Sequence, residues 1–344
     1  MPKPLVIDIH FHLLADVDID GCLMSTRMKS SPTGFVAASL LSATWQDILD
    51  TIDPHHGPHS SSKDLADRLV GVIDRAAEVD GAVLLAMDCI VGPDGKERRE
   101  HSDLIVTNAY AQSVAVDYRK SGGHKHIRWG ASIHPYRTNA IEVLDEAVEN
   151  GAALVKWVPS TQQIDLADSR SVQFAEQLRN RGIPLLCHMG REGAIPVDEA
   201  WRVQEDPGKI EAILNTGATI VIAHCAAPYT EAEPNYLPTV VDLLRRYPDN
   251  LYLDTSALLL GPVRGKALSK VFPEFPVHRL VQGSDYPLPT LDLTFGTFTS
   301  SVDYIKYMRA VATSNWLDMD VLFKKALGVP DETFTNTAKL LNMA

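Results

Sequence analysis

The sequence predicts an α/β fold, a single (β/α)8 TIM barrel, from two observations. Eight short and largely apolar runs recur along the 344 residues, and longer amphipathic segments lie between them. Apolar runs of this kind are typical of parallel strands buried on both faces, and their alternation with helices indicates βαβ units. The predicted strands are Leu5–His12, Gly81–Asp88, Ile127–His134, Ala152–Pro159, Ile183–Gly190, Thr219–Ala226, Leu251–Ala257 and Arg279–Asp285.

Apolar positions three and four residues apart predict helices between these strands. Gly151 and Gly182 each follow a helical segment and precede a strand, where a left-handed helix cap is expected. The predicted helices are Ser62–Val79, Leu104–Tyr118, Ala140–Glu149, Val172–Arg181, Lys209–Asn215 and Leu237–Arg246.

The spacing of the strands predicts one barrel domain over residues 1–344. The first strand begins near residue 5, so we expect no additional β-sandwich domain. Two long connections, 13–60 and 286–315, follow the first and the eighth strand. Barrel enzymes build their active sites at the carboxyl ends of the strands, so we expect both connections to form walls of a substrate site.

Composition excludes several classes of protein. Hydrophobic residues make up 45% and charged residues 22%, which is typical of a globular protein and excludes disorder. A net charge of −12 without a basic run argues against nucleic acid as a partner. No apolar stretch resembles a membrane span or a signal peptide, and the four cysteines are scattered. We expect a cytoplasmic protein with a small-molecule substrate and no membrane partner; homo-oligomerisation stays open.

Polar residues interrupt the apolar runs near the carboxyl ends of five strands, and these ends meet at one mouth of a barrel. In His10-Phe11-His12 the two imidazoles alternate along a strand and therefore face the same side. Buried ionisable groups are costly unless they are paired or bind a metal, and imidazoles with a carboxylate suit zinc or another first-row divalent ion. The converging residues are His10, His12, Lys156, His188, His224 and Asp285.

These motifs resemble the amidohydrolase superfamily, and within it the amidohydrolase-related branch. That branch includes aminocarboxymuconate-semialdehyde decarboxylase, resorcylate-type decarboxylases and pyrone-dicarboxylate lactonase. The resemblance extends over essentially the whole chain, in the order and strand placement of short motifs. The matching segments are Asp8-Ile-His-Phe-His, Leu186-Cys-His-Met-Gly, Ile222-Ala-His-Cys-Ala-Ala-Pro, Gln282-Gly-Ser-Asp-Tyr-Pro and Asn336-Thr-Ala-Lys-Leu-Leu.

The resemblance implies a role for each matching residue. It implies one zinc or similar ion per chain, with His10, His12, His188 and Asp285 as ligands. The residue at the position of His224 would polarise the substrate or orient a water molecule, and Asp285 would also accept a proton. A metal ion makes hydroxide available at neutral pH, and a neighbouring carboxylate can take and return the proton.

Lys156, on the fourth predicted strand, has three interpretations. A carbamylated lysine at this position bridges two metals in binuclear members of the superfamily. An unmodified ammonium would instead bind a substrate carboxylate, and an outward lysine would only cover apolar surface. Many members of the amidohydrolase-related branch use a single metal, which favours an unbridged site.

Three further residues are weaker candidates for binding an anionic substrate. His134 ends the third predicted strand, Arg137 follows it, and Arg191 follows the histidine of the fifth strand. Arginine binds carboxylates through paired hydrogen bonds.

The leading functional prediction is hydrolysis of a C–O or C–N acyl bond in a small carboxylated lactone, ester or amide, by metal-activated water. The alternative is non-oxidative decarboxylation of an aromatic or muconate-type acid. A non-catalytic barrel would require a decayed set of ligands, and the expected ligands are intact.

Overall fold

A computed structural model describes residues 3–30, 60–260, 263–265, 272–288 and 303–343. The strands in these residues are β1 (Ile7–His12), β2 (Leu23–Met24), β3 (Gly81–Leu85), β4 (Leu104–Ile105), β5 (His126–Gly130), β6 (Val155–Trp157), β7 (Leu185–Cys187), β8 (Ile220–Ile222), β9 (Leu251–Asp254) and β10 (Leu280–Val281). All except β2 and β4 correspond to the eight predicted strands. Except for the first, the predicted runs extend beyond the carboxyl ends of the observed strands, because their last residues no longer pair with neighbouring strands.

The α-helices of the described residues flank these strands. They are α1 (Thr26–Ser30), α2 (Ser62–Asp74), α3 (Asn108–Lys120), α4 (Ala140–Glu149), α5 (Pro159–Gln162), α6 (Ser169–Arg181), α7 (Glu211–Leu214), α8 (Leu237–Arg246), α9 (Tyr304–Ala312), α10 (Trp316–Ala326) and α11 (Asp331–Leu340). Gly182 ends α6 at φ 65°, the left-handed cap that the sequence predicts. None of the described helices has the length and apolar character needed to cross a membrane.

The eight parallel strands, which are all except β2 and β4, form a closed ring. Three strands pair in the order β1-β3-β5, and five pair in the order β10-β9-β8-β7-β6. One seam is joined by Ile9 N–H donating to the Gln282 carbonyl at 2.9 Å. The other is joined by Ala153 N–H donating to the Trp129 carbonyl at 2.8 Å. The protein is therefore a TIM barrel, as the sequence predicts.

Two helix predictions are wrong in detail. Leu104 and Ile105 are not helical: they form β4, which pairs antiparallel with β2. Helix α3 begins at Asn108 because the Thr107 hydroxyl caps it, accepting a hydrogen bond from Tyr110 N–H at 3.2 Å. The segment predicted over Lys209–Asn215 begins as a 3₁₀ turn and is α-helical only in α7.

The two long connections carry more regular structure than the sequence indicates. In 13–60, β2 and α1 follow the first barrel strand, and in 286–315 the Asp303 carboxylate caps α9. The rest of both predicted loops lies mainly outside the described residues, so their role as walls of a substrate site stays a prediction.

A bulge in β1 determines which side chains face the barrel interior. The register of β1 against β3 shifts between Asp8 and Phe11. As a result, Ile9 belongs to the apolar cluster that fills the barrel, whereas Phe11 packs in the outer layer between strands and helices. Bulges beside active sites commonly re-aim side chains in this way.

A buried ion pair on α10 supports the last barrel strand. Lys324 and Asp320 are both buried, and their charged atoms lie 2.6 Å apart. Lys324 also donates to the Gly283 carbonyl at 2.7 Å, and Gln282 donates its amide to Asp320 at 2.8 Å. The pair therefore fixes the backbone that leads from β10 to Asp285.

We predict that Lys324→Met lowers the free energy of unfolding by about 3–5 kcal/mol, because Asp320 would remain buried without its cation. The neighbouring Lys325 is a matched control, since it forms a partly exposed pair with Glu78 at 2.8 Å. Lys325→Met should cost less than about 1 kcal/mol. Urea denaturation followed by circular dichroism measures both values, and equal losses would contradict the prediction.

Candidate metal centre

The carboxyl ends of the barrel strands bring the six polar residues predicted from the sequence to one region. His10 and His12 end β1, and Lys156 lies in β6. His188 directly follows β7, His224 lies two residues after the end of β8, and Asp285 lies beyond β10. His10, Lys156, His188, His224 and Asp285 are all buried, whereas His12 is partly exposed towards the mouth.

Three ligand-type atoms converge at the end of β1. His10 Nε2 and His12 Nε2 lie 3.1 Å apart. Asp285 Oδ1 is 3.3 Å from His10 Nε2 and 3.1 Å from His12 Nε2. The other carboxylate oxygen, Oδ2, faces His224 Nε2 at 3.7 Å. One oxygen of Asp285 thus points to the imidazole pair and the other to His224.

Close packing of backbone brings Asp285 to this place. A Cβ atom built on Gly283 would lie 2.9 Å from the Cβ of His10, so a larger residue would push β10 away from β1. Asp285 N–H donates to the His10 carbonyl at 2.8 Å. The glycine of the Gln282-Gly-Ser-Asp motif is therefore required by close approach rather than by a turn.

A buried carboxylate, Asp254 at the end of β9, fixes the positions of the imidazoles through hydrogen bonds. Its Oδ2 accepts a hydrogen bond from His10 Nδ1 at 2.8 Å. Its Oδ1 accepts from the backbone N–H groups of His224 at 2.8 Å and Ser256 at 3.0 Å. Burial alone would raise the pKa of Asp254, but His10 and these hydrogen bonds outweigh it and hold the pKa well below its usual range.

The same network assigns the protons on two imidazoles. The Ser256 hydroxyl donates to Asp254 and therefore accepts from His224 Nδ1, 2.7 Å away. His10 and His224 both carry their proton on Nδ1, so each leaves a lone pair on Nε2 directed towards the site. Burial lowers the pKa of His10 to about 4 and also lowers that of His224, so both rings are neutral at pH 7.

Left-handed backbone turns two of the site residues into place. His224, Cys225 and Ala226 have φ of 55°, 54° and 50°, and Asp285 has φ of 69°. Each such non-glycine residue costs about 1–2 kcal/mol. The turn after β8 places His224 N–H on Asp254, which compensates part of that cost.

His188 has an uncommitted nitrogen. Its ring lies beside that of His224, with centroids 5.0 Å apart. Its Nε2 is buried and has no hydrogen-bond partner, because Glu192 Oε2 lies 3.4 Å away without suitable geometry. A buried imidazole nitrogen without a partner is unusual and fits a ligand atom that a metal ion would satisfy.

Lys156 points inward, which contradicts the interpretation as an outward lysine that covers apolar surface. It is 1% exposed, and its Nζ lies 2.9 Å from His10 Nε2. Burial lowers its pKa, although Asp285 and Asp254 act in the opposite direction. The carbamylated bridge and the substrate-binding ammonium both remain open.

A small cavity opens above these residues, with both polar and apolar residues in its lining. The polar lining residues are His12, Lys156, His188, Glu192, His224, Tyr229 and Asp285. The apolar lining residues are Leu14, Met28, Leu104, Val158, Ala194, Ile195 and Leu288.

The three weaker candidates for substrate binding lie elsewhere. His134 is buried, and both of its ring nitrogens are engaged, with the Gln162 carbonyl at 2.9 Å and Tyr136 N–H at 3.2 Å. Arg137 forms ion pairs with Asp88 and Glu97, as close as 2.5 Å and 2.7 Å. Asp88, Glu97 and Gln162 are distant in the sequence, which is why the sequence did not exclude His134 and Arg137.

Arg191 also does not line the cavity formed by the described residues. Its side chain is partly exposed and lies 3.5 Å from Glu205 Oε2.

Sequence reasoning missed Asp254, Ser256 and Tyr229, whereas Glu192 was a weak candidate because it closely follows His188. Asp254-Thr-Ser lies in the predicted seventh strand, so polar residues at its carboxyl end were a usable signal. Glu192 follows the fifth strand; its Oε1 accepts from Ala194 N–H at 2.6 Å and Ile195 N–H at 2.9 Å. Nothing in the local sequence marks Tyr229 as a cavity residue.

The donor set fits a first-row divalent ion. His10, His12 and Asp285 offer ligand atoms close enough to share one ion, and His188 adds an unpaired nitrogen. The hydrogen bond from His10 Nδ1 to Asp254 is the arrangement in which a carboxylate orients a metal-binding imidazole. The single lone pair of His10 Nε2 cannot serve both Lys156 and a metal ion, so Lys156 must release it when metal binds.

Comparison with known proteins identifies the family. The family model described as amidohydrolase matches residues 7–306. The chain belongs to the amidohydrolase family. No curated protein matches this amidohydrolase significantly.

Solved structures share the fold at low sequence identity. A probable 2-pyrone-4,6-dicarboxylic acid hydrolase from Acinetobacter baumannii with citric acid bound has a TM-score of 0.55 and 16% identity, covering 98% of this chain and 99% of that one. A 2,6-dihydroxybenzoate decarboxylase from Rhizobium has a TM-score of 0.52 and 13% identity, covering 100% and 99%. A 5-carboxyvanillate decarboxylase from Sphingomonas paucimobilis has a TM-score of 0.53 and 12% identity, covering 99% of each chain.

We predict that His10→Ala and Asp285→Ala each remove bound metal and activity but retain the fold, because the barrel core lies below these side chains. Metal content after dialysis is measured by elemental analysis, and folding by circular dichroism. His101→Ala is a control, because this imidazole is exposed on the surface and lies outside the cluster. Full metal occupancy in a double variant of His10 and Asp285 would contradict the prediction.

A second prediction concerns the number of metal ions. We expect one per chain, with Lys156 unmodified, so Lys156→Met should keep that ion and fail mainly in substrate binding. Mass spectrometry of the intact protein and metal analysis test this directly. A content near two ions that falls in Lys156→Met would instead support the carbamylated bridge.

Proposed function

We propose that this amidohydrolase is a metal-dependent hydrolase that cleaves an acyl C–O or C–N bond in a small carboxylated lactone, ester or amide. The observation that carries the proposal is the division of Asp285 between two neighbours. Its Oδ1 lies beside His10 and His12, whereas its Oδ2 faces His224. One carboxylate can therefore bind a metal ion and still offer an oxygen to a proton.

We assign the metal ligands as His10, His12, His188 and Asp285, and the ion as zinc or another first-row divalent metal. Such an ion, when bound, lowers the pKa of water towards 7 and polarises a carbonyl group. The protein itself keeps the imidazoles neutral and the carboxylate ionised, which are the forms that bind a metal ion. It also keeps the surrounding cavity largely apolar.

Asp285 is the proposed proton acceptor. Its Oδ2 is not used by His10 or His12, and a carboxylate within hydrogen-bond reach of an attacking water can take its proton and return it to the leaving group.

His224 is better suited to orient a water molecule than to polarise a carbonyl. Its Nδ1 proton is engaged by Ser256, so its Nε2 accepts a hydrogen bond and cannot donate one to a carbonyl oxygen. An acceptor at this position holds the O–H of a nucleophilic water. We propose that His224 and Asp285 Oδ2 position that water together.

Lys156 is the proposed cation for the reacting end of the substrate. Once it releases His10, its buried ammonium is the only basic side chain among the described residues that line the cavity. It would bind an oxygen of a carboxylate or of the scissile acyl group. The apolar residues of the lining favour a compact substrate body.

Decarboxylation is the second candidate, because two of the structurally similar proteins are decarboxylases by name. The metal ligands would suit either reaction. A decarboxylase additionally needs a proton donor above the carbon that loses carbon dioxide, and the assigned proton positions give His224 no such proton on Nε2.

Incubation of the metal-loaded protein with lactones, amides, and hydroxybenzoic or muconate-type acids tests the proposal. We expect hydrolysis of a carboxylated lactone or amide, and a loss of about 10²- to 10⁴-fold in kcat for Asp285→Asn. Product analysis scores both water addition and carbon dioxide release. Carbon dioxide release without any hydrolysis across the set would overturn the proposal and support the decarboxylase.

A further inference from the structure

One buried arginine beside the cavity forms no ion pair with the residues that the structure describes. Arg264 is 1% exposed. Its Nη1 donates to the Ala257 carbonyl and its Nη2 to the Ala227 carbonyl, both at 2.9 Å. Its Nε is buried without a hydrogen-bond partner, and no acidic side chain of the described residues forms an ion pair with it. Burying a charge without a counter-ion is costly, so such groups commonly serve a ligand.

Tyr229 connects this guanidinium to the cavity. The Cζ atom of Arg264 lies 3.7 Å from the centroid of the Tyr229 ring, which is close cation–π stacking. The Tyr229 ring lines the cavity, and its phenol lies within electrostatic reach of Asp285 and Glu192. Burial raises the pKa of Tyr229 to about 12, so its hydroxyl keeps its proton at neutral pH. No acceptor for that proton is found in the described part of the chain.

The other charges around the cavity indicate what this pair would bind. Asp285 and Glu192 are acidic, and Lys156 is the only basic residue among the described lining residues. Lys156 lies at the polar end beside His10. A second substrate carboxylate would therefore meet no other lysine or arginine among the described lining residues. Arg264, stacked behind Tyr229, supplies positive potential at a second position.

We infer that Tyr229 and Arg264 form a subsite for a substrate carboxylate, with the Tyr229 hydroxyl donating the hydrogen bond and Arg264 providing the compensating charge. The inference deepens the proposed function and rests on it for the carboxylated substrate. The carbonyl groups of Ala227 and Ala257 hold the guanidinium in place, which ties the subsite to the loops after β8 and β9. Arg264 acts through Tyr229 and is in this sense a positioning residue.

Binding of benzoate and benzamide tests the inference, because the two probes have nearly the same shape and differ in charge. Calorimetry is carried out on metal-loaded protein and again after chelation, which removes binding of benzoate to a metal ion. Wild-type protein should bind benzoate more tightly than benzamide in both preparations. Arg264→Met should weaken benzoate binding by about 10- to 100-fold and leave benzamide binding unchanged.

Three further variants sharpen the result. Arg264→Lys keeps the charge and should restore part of the affinity for benzoate, which a purely structural role would not predict. Tyr229→Phe should weaken benzoate selectively by about 3- to 10-fold. Arg279→Met is the matched control, because Arg279 stacks 4.6 Å from the Tyr252 ring centroid but precedes β10, at the opposite end of the barrel.

Equal benzoate affinity in wild type and folded Arg264→Met would overturn the inference, as would a wild type that does not prefer benzoate. If Arg264→Met fails to fold, Tyr229→Phe decides, and undiminished benzoate binding there also overturns it. Binding is measured without turnover. A charge-dependent subsite in a protein that hydrolyses none of the tested lactones or amides would refute the proposed function alone.

Discussion

The site depends on one buried carboxylate, Asp254. Removing a carboxylate from water is costly unless several donors compensate it. Here the donors are the His10 imidazole, the Ser256 hydroxyl, and the backbone N–H groups of His224 and Ser256. Two of these donors belong to the site residues His10 and His224. The hydrogen bonds around Asp254 therefore also fix the tautomers and orientations of both imidazoles. The left-handed turn at His224 is accepted for the same reason, since it delivers one of these N–H groups.

Support for this arrangement extends through the barrel to α10. The close approach of β10 to β1 requires a glycine at 283. Lys324 donates a hydrogen bond to the carbonyl of that glycine and forms an ion pair with Asp320. Asp285 follows two residues later and bonds through its backbone to His10. The position of the Asp285 carboxylate is thus set by contacts with both β1 and α10. Such preorganisation allows a site to act without paying for rearrangement during the reaction.

Sequence patterns predicted the fold well because a parallel barrel strand is apolar on both faces, so polar residues mark its end. That rule located His10, His12, His188, His224 and Asp285. It failed for Arg137 and His134, whose partners Asp88 and Gln162 become visible only in three dimensions. It also passed over Asp254 and Ser256, which act behind the cluster. The proton positions and the left-handed turn at His224 follow from tertiary contacts that no local pattern encodes.

The position of the proton on His224 distinguishes the two proposed reactions, hydrolysis and decarboxylation. Hydrolysis needs an acceptor next to water, and decarboxylation needs a donor next to a developing carbanion. The Ser256 hydroxyl donates its only hydrogen bond to Asp254, so it accepts one from His224 Nδ1–H, which leaves a lone pair on His224 Nε2. His224 would become a donor only by gaining a second proton, which its burial opposes. The Ser256 hydroxyl, two residues beyond β9, thus supports the proposed hydrolysis by fixing the proton of His224 on Nδ1.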